Sequence, residues 1–491
     1  MVAFDAAIAA TFLFYLAIIF AIAVVAWMRT RTAADYYLGG RNLSPAVAAL
    51  SAGASDTSGW VLLGLPGYAY LSGLEAGWLA LGLCLGVAMN WLLTARKLRI
   101  FSHALEDAVT LPTYLQRRFC DSGGGLRIVS SLFILLFFLF YVSSGLIGGG
   151  KLFVAVFGVD YHIAVILGAV IIIVYTLFGG FLAVSWTDVF QGLLLTIALL
   201  VVPVMAIQVA DGLDASIAAI EIENPWLLEA WHDKNGEPLG AIAIISLLGW
   251  GLGYFGQPHI LSRFKAIESA HAVKSAAAIG IIWAIVVYIA AIVVGMAGIA
   301  VFDTALADAE KVFILLVGTL FNPFVAGVLL AAILAAIMST VDSQLLVCSS
   351  ALAEDIYPLL RKRAIDATLR LRIGRWAVGG VAVASTLIAM DSDSKVLDVV
   401  SYAWAGLGAA LGPTILLSLY WARMTGTGAL AGVVTGGLTV IIWSQIDGGI
   451  FEAYELIPGF IFASFAIVLG SWLSAGNVAE AENRYRELDR A

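Results

Sequence analysis

The chain is 491 residues long, 62% hydrophobic and only 12% charged, with a net charge of −8 and a mean hydropathy of +0.98. A soluble domain carries about twice that charged fraction, and no basic stretch of the kind that binds nucleic acid stands out. Apolar runs of about 20 residues recur from end to end, each able to cross a hydrocarbon core of about 30 Å as a helix, so the fold class is an all-α membrane protein.

About thirteen spans are predicted, at 6–28, 45–71, 75–95, 126–150, 159–180, 188–208, 239–256, 275–302, 320–350, 375–390, 398–420, 427–445 and 454–475. The first lacks the basic start of a cleavable signal peptide: Asp5 is its only early charge, and Arg29 and Arg31 follow it.

The second span contains Ser51-Ala-Gly-Ala-Ser-Asp-Thr-Ser-Gly-Trp60, a small and polar run around a full acid. A carboxylate at mid-span costs about 2.5–3.5 kcal/mol, so Asp56 should face a cavity or a cation, or else cap a broken helix end. If the helix unwinds there, Ala54 and Thr57 offer free carbonyls, and sodium is a hard cation that prefers oxygen ligands. The fourth span carries Tyr141. Asp188 is expected at the start of the sixth span, beside Ser185, Trp186 and Thr187.

The acidic connection 209–238 reads as a solvated loop. The seventh span then contains Gly249-Trp-Gly-Leu-Gly-Tyr-Phe-Gly-Gln-Pro258, four glycines in eight residues and then proline. Paired Gly/Pro interruptions at matching places in two halves point to a transporter site, although small residues also let helices pack closely. Trp250 and Tyr254 lie at i and i+4, and such aromatic walls suit a compact apolar ring, while free N–H groups suit a carboxylate. His259 and His271 show no metal-binding pattern and read as structural.

In the ninth span Ala336, Ser339, Thr340 and Ser343 share one helical face. Its hydroxyls and the Ala336 carbonyl would complete fivefold oxygen coordination with Ala54 and Thr57, or the hydroxyls bond back to their own helix. Asp342 sits three residues past Ser339 and Ser343 four past it, so these three share a stripe. With Asp188, these residues (Asp188, Ser339, Asp342 and Ser343) could form a second sodium site or an exit-path relay. The alternative is a helix-start Asp188 with Asp342 paired to a cytoplasmic arginine.

Spans two to six (45–208) and seven to eleven (239–420) each open on an interrupted segment. Five is odd, so the repeats are inverted. Two helices follow at 421–475 and a cytoplasmic tail at 476–491, all within one transporter domain, 1–491. With the N-terminus outside, 22 of 26 basic residues fall on the cytoplasmic side, leaving only Lys151, Lys234, Lys311 and Lys395 outside; this asymmetry orients the chain N-out and C-in. Cys84, Cys120 and Cys348 are scattered and imply no disulfide framework. No phosphate loop, nucleophile elbow or metal-ligand cluster appears, so no enzyme is expected, and transport energy must come from a gradient.

The chain resembles the sodium:solute symporter family, and its proline-transporting members most of all. The resemblance rests on Asp35-Tyr-Tyr-Leu-Gly-Gly-Arg41, on residues 50–60, 179–188, 249–263, 333–340 and 401–406, and on Ile457-Pro-Gly-Phe-Ile461. It implies a LeuT-type five-plus-five inverted-repeat core and sodium-coupled import of L-proline across the cytoplasmic (inner) membrane. Sodium would be the coupling ion, lipid the surroundings, and neither nucleic acid nor an obligatory protein partner would be involved. It further implies a sodium site at Ala54, Thr57, Ala336, Ser339 and Thr340 with Asp56 essential nearby. A proline pocket is implied at Tyr141, Trp250, Tyr254 and Pro258, with Ser58, Gly59 and Trp60 close by. Thr57 stands where a proline-transporting member of the family has methionine, so it should contribute only its carbonyl. Asp342-Ser343 stands where proline transporters have Ser-Cys, and relatives with a second sodium site place hydroxyls there, so one sodium or two remains open. The residues alone also fit a sodium symporter for another small amino acid or a carboxylate, or a transporter-like substrate sensor.

Overall fold

The computed structural model describes residues 5–29, 39–361, 367–474 and 478–490. Arg31, Lys362, Arg363 and residues 35–38 of the first matching stretch lie outside them. All thirteen predicted spans fall on helices. By length and composition ten helical stretches qualify as membrane spans, or eleven with one bent pair; one of the ten, Gly59–Ala104, joins parts of two predicted spans. Among the described residues there is no β-strand, only isolated bridges.

The first span is α1 (Ala6–Arg29). The second breaks into α2 (Pro45–Asp56), α3 (Gly59–Leu62) and α4 (Gly64–Ser72). Ser44 caps α2 and Pro45 occupies its first turn, where a missing N–H costs nothing. The third span, α5 (Ala76–Met89), passes through a π-turn at Asn90–Ala95 into α6 (Arg96–Ala104), and the short α7 (Leu111–Arg118) follows. Spans four to six are α8 (Gly125–Phe157), α9 (Tyr161–Gly179) and α10 (Phe181–Val209). Because α10 begins at Phe181, Asp188 sits two turns inside the helix rather than at its start, which corrects its expected place and removes the N-cap role. The acidic connection folds in part as α11 (Leu213–Glu223).

The seventh span is α12 (Ala241–Gly249), a 3₁₀ segment at Trp250–Gly256, and α13 (Pro258–Ala266), the two halves bent by 48°. It therefore runs past residue 256, the expected limit. The glycines serve both purposes weighed from sequence. A Cβ on Gly251 would lie 2.2 Å from the Gly82 carbonyl of α5, and one on Gly253 would lie 1.9 Å from Trp404, so the distorted backbone is also wedged between neighbours. The remaining spans are α14 (Ala272–Val301), then, after the short α15 (Val312–Leu320), α16 (Pro323–Ser350), which continues by a π-turn at Ala351–Ile356 into α17 (Tyr357–Arg361). They are followed by α18 (Ala367–Ile388), α19 (Val396–Tyr420), α20 (Gly426–Trp443) and α21 (Leu456–Leu473).

The two broken spans meet at one end of the bundle, where Leu43 N–H donates to Ala266 carbonyl at 3.2 Å and Glu268 N–H to Leu43 carbonyl at 3.0 Å. At the same end the tail is not a free strand. Its helix α22 (Val478–Asp489) docks through buried Leu488, and Tyr485 accepts from Lys97 at 3.2 Å. The centre of the bundle is α16, buried from Leu329 to Leu346 and packed against α1, α2, α8 and α10.

Candidate functional site

In an unbroken helix the Ser58 N–H would donate to the Ala54 carbonyl. It donates instead to the Asp56 carbonyl, at 3.0 Å, and this leaves the Ala54 oxygen open toward α16. Ser339 Oγ donates to that oxygen at 2.8 Å and lies 3.0 Å from the Ala336 carbonyl, with Thr340 Oγ1 3.5 Å from the Ala54 oxygen. Four of the five expected ligand groups thus converge in a site with almost no solvent exposure. Thr57 is beside them, with its hydroxyl engaged on Gly53 at 3.0 Å, so only its carbonyl is available. These are neutral oxygen donors, a set suited to a hard monovalent cation.

Asp56 turns the other way. Its Oδ2 accepts from Tyr254 at 2.6 Å and from Tyr288 of α14 at 2.7 Å, and the two phenols lie 2.5 Å apart. Its Oδ1 has no hydrogen-bond partner within the protein. The carboxylate therefore ties α2 to the 3₁₀ segment and to α14, and does not point at the α16 hydroxyls.

Around this junction lies an aromatic cluster. The Trp60 ring stacks on Tyr288 at 5.9 Å and lies 6.3 Å from Trp250, which in turn stacks on Tyr454 at 5.2 Å. Trp404 packs edge-on against Tyr254 at 4.8 Å and Tyr141 at 6.4 Å, and donates from Nε1 to the Trp250 carbonyl at 2.8 Å. The Tyr141 hydroxyl and both ring nitrogens of the adjacent His259 are buried without partners. Ser58 and Gly59 sit at the break, Gly59 against Ile337. Pro258 stands apart from this cluster, lining a narrow space with Ser262, Arg263 and Ser343. Tyr288, Trp404 and Tyr454 were not singled out from sequence. Trp404 lies in a family-like stretch (401–406), whereas Tyr288 is a lone tyrosine in an apolar span and carries no local signal.

The second acidic set divides. Asp188 Oδ2 accepts from Ser51 at 2.6 Å, from Ser55 at 3.2 Å and from Arg263 at 2.9 Å; Arg263 also reaches Ser343 at 2.6 Å. Asp342 instead accepts from Thr176 of α9 at 2.5 Å, so it does not pair with an arginine. Arg263, which reads as a loop cation in the sequence, is 1% exposed. A buried charge needs a partner, and Asp188 supplies it.

Against known proteins, residues 36–436 match the model of the sodium:solute symporter family. The chain belongs to that family. This symporter is 47% identical over 489 residues to the sodium/proline symporter of Salmonella typhimurium, covering 98% of this chain and 95% of that protein. It is 48% identical over 490 residues to the sodium/proline symporter of Escherichia coli, with the same coverage, and 45% identical over 456 residues to an osmoregulated proline transporter of Bacillus subtilis, covering 91% of each. Among solved structures, a Na+-coupled sialic acid symporter in a substrate-bound outward-open state superposes with a TM-score of 0.79 at 22% identity, over 96% of this chain and 98% of that one. The symporter therefore has the LeuT-type fold, and it is a multi-pass membrane transporter rather than an enzyme.

Proposed function

We propose that this symporter imports L-proline with sodium by alternating access. The observation that carries the reading is the opened Ala54 carbonyl held against Ser339 and Thr340, one turn from an aromatic cluster on the same broken helix. Sodium would bind at Ala54, Thr57, Ala336, Ser339 and Thr340, between α2 and α16. Proline would lie at Ser58, Gly59, Trp60, Tyr141, Trp250 and Tyr254, its carboxylate on backbone N–H groups freed by the break and its ring against the indoles. The near-full-length identity to proline transporters supports this substrate.

Coupling follows from shared scaffolding. Sodium joining α2 to α16 sets the break at residues 57–58, and the same break forms one wall of the proline pocket. Each ligand then favours the conformation that binds the other. Asp56 acts from the side, holding the broken helix to Tyr254 and Tyr288. With a membrane potential of about 100 mV and a roughly tenfold sodium gradient, one ion supplies about 3.7 kcal/mol, enough for roughly 500-fold accumulation. Arg263 already neutralises Asp188, and Asp342 is engaged elsewhere, so the arrangement supports one coupling ion.

The basic asymmetry supports an N-out, C-in orientation in the cytoplasmic membrane, with 45–208 and 239–420 as the inverted repeats. Uptake of labelled proline into proteoliposomes, with sodium, potassium and proton gradients imposed separately, tests the function. Concentrative uptake under a sodium gradient alone is expected; uptake driven equally by protons, or by none of the three, overturns it.

A further inference from the structure

We infer that the groove between α8, α17 and α18 is a binding site for an anionic phospholipid. The groove encloses about 490 Å³ and is lined almost entirely by carbon, including Leu135 and Leu139 of α8, Ile356 and Leu360 before and within α17, and Ile373 and Trp376 of α18. Two features of the backbone hold it open. The π-turn at Ala351–Ile356 inserts an extra residue and displaces the following turn outward. On the facing helix Gly380 lines the groove, and a Cβ added there would meet nothing within 4 Å.

The charges at its mouth select the occupant. Arg361 ends α17, and Arg372 and Arg375 lie in the first turns of α18, all three exposed. None has a carboxylate partner among the described residues. Their neighbours at this end of the bundle do: Arg127 pairs with Asp355 at 2.7 Å, Arg370 with Glu354 at 3.1 Å and Lys97 with Asp489 at 3.2 Å. Trp376, 82% exposed, stands one turn above Arg372 on the same edge of α18. Arg361 lies over the Tyr357 ring at 5.6 Å, and an exposed indole above arginines that lack carboxylate partners among the described residues marks a headgroup boundary. From Ile373 to Val381 the groove follows about 12 Å of helix, room for much of an acyl chain running inward from a phosphate at the arginines. Basic pockets between spans on the cytoplasmic side take anionic headgroups, and the proposed orientation puts this mouth in that leaflet.

The test uses the full-length protein in nanodiscs of phosphatidylcholine, with and without phosphatidylglycerol. Wild type should retain phosphatidylglycerol in native mass spectrometry and melt at higher temperature when it is present. The combined variant R361Q/R372Q/R375Q should lose this preference, by on the order of 100-fold for three surface cations, while staying folded. Gly380→Leu, whose Cβ has open space and whose side chain projects from the groove wall, should lose retained lipid of either headgroup. The proposal is overturned if wild type retains the two lipids equally, or if the triple variant keeps the wild-type preference. It is equally overturned if soluble glycerol phosphate added to phosphatidylcholine discs raises the melting temperature as much as the lipid does.

Discussion

Ser339 Oγ donates to the Ala54 carbonyl across 2.8 Å, a contact between residues 285 apart in sequence that joins two helices at the point where one of them has come undone. The carbonyl is free only because Ser58 N–H has turned to Asp56. Local unwinding and a long-range contact are thus one feature.

Removing that hydroxyl tests the sodium site. Ser339→Ala should leave expression and fold intact, since only a small polar atom is lost, but should raise the sodium concentration for half-maximal proline uptake at least tenfold. The check is a sodium titration of uptake in proteoliposomes at fixed proline. An unchanged midpoint would remove Ser339 from the ligand set.

Asp56 is predicted to act through its tyrosines. Asp56→Asn keeps the volume but loses the charge, and sodium-stimulated proline binding should fall more than tenfold. Tyr288→Phe removes one hydrogen bond to a charged acceptor, worth about 1.5–3 kcal/mol, and should produce a smaller loss of the same kind. Equilibrium binding of labelled proline, in sodium and in potassium, separates these effects from slower turnover. Equal binding in both media by wild type would mean that the ligands are not linked.

Trp404 braces the pocket from α19. Trp404→Ala should raise the proline concentration for half-maximal uptake about tenfold or more, and the cavity should cost about 3–5 kcal/mol of stability. Trp404→Phe keeps part of the ring packing but loses the bond to the Trp250 carbonyl, and should fall between. If Trp404→Ala leaves the uptake curve unchanged while lowering only thermal stability, its role is packing alone.

The Asp188–Arg263 pair should show the asymmetry of buried ions. Either Asp188→Asn or Arg263→Gln leaves a lone buried charge and should cost about 3–5 kcal/mol, while the double variant should recover a large part of that loss. Thermal unfolding of the purified proteins in one detergent measures both. A double variant less stable than either single would contradict the pairing.

Which spans are interrupted, and which stretches are apolar enough to cross the bilayer, could be read along the chain because both depend on local quantities. Hydropathy over about 20 residues decides insertion, and a cluster of glycines with a proline weakens helix hydrogen bonding wherever it occurs. The alignment of Ala336, Ser339 and Thr340 was equally legible, since helical periodicity alone puts them on one side. The facing of Asp56 was not. Its neighbours in sequence say that a carboxylate is present at mid-span, but Tyr254 and Tyr288 reach it only after three spans have packed. The same applies to Asp342 and Ser343, adjacent in sequence yet about 100° apart around α16, so that one meets Thr176 and the other Arg263. Composition, the all-helical class and the place of the breaks were thus determined by the sequence itself. Tertiary packing decided where each buried polar group found its partner, because in a low-dielectric interior an unpaired charge is costly and the nearest available partner lies on another helix.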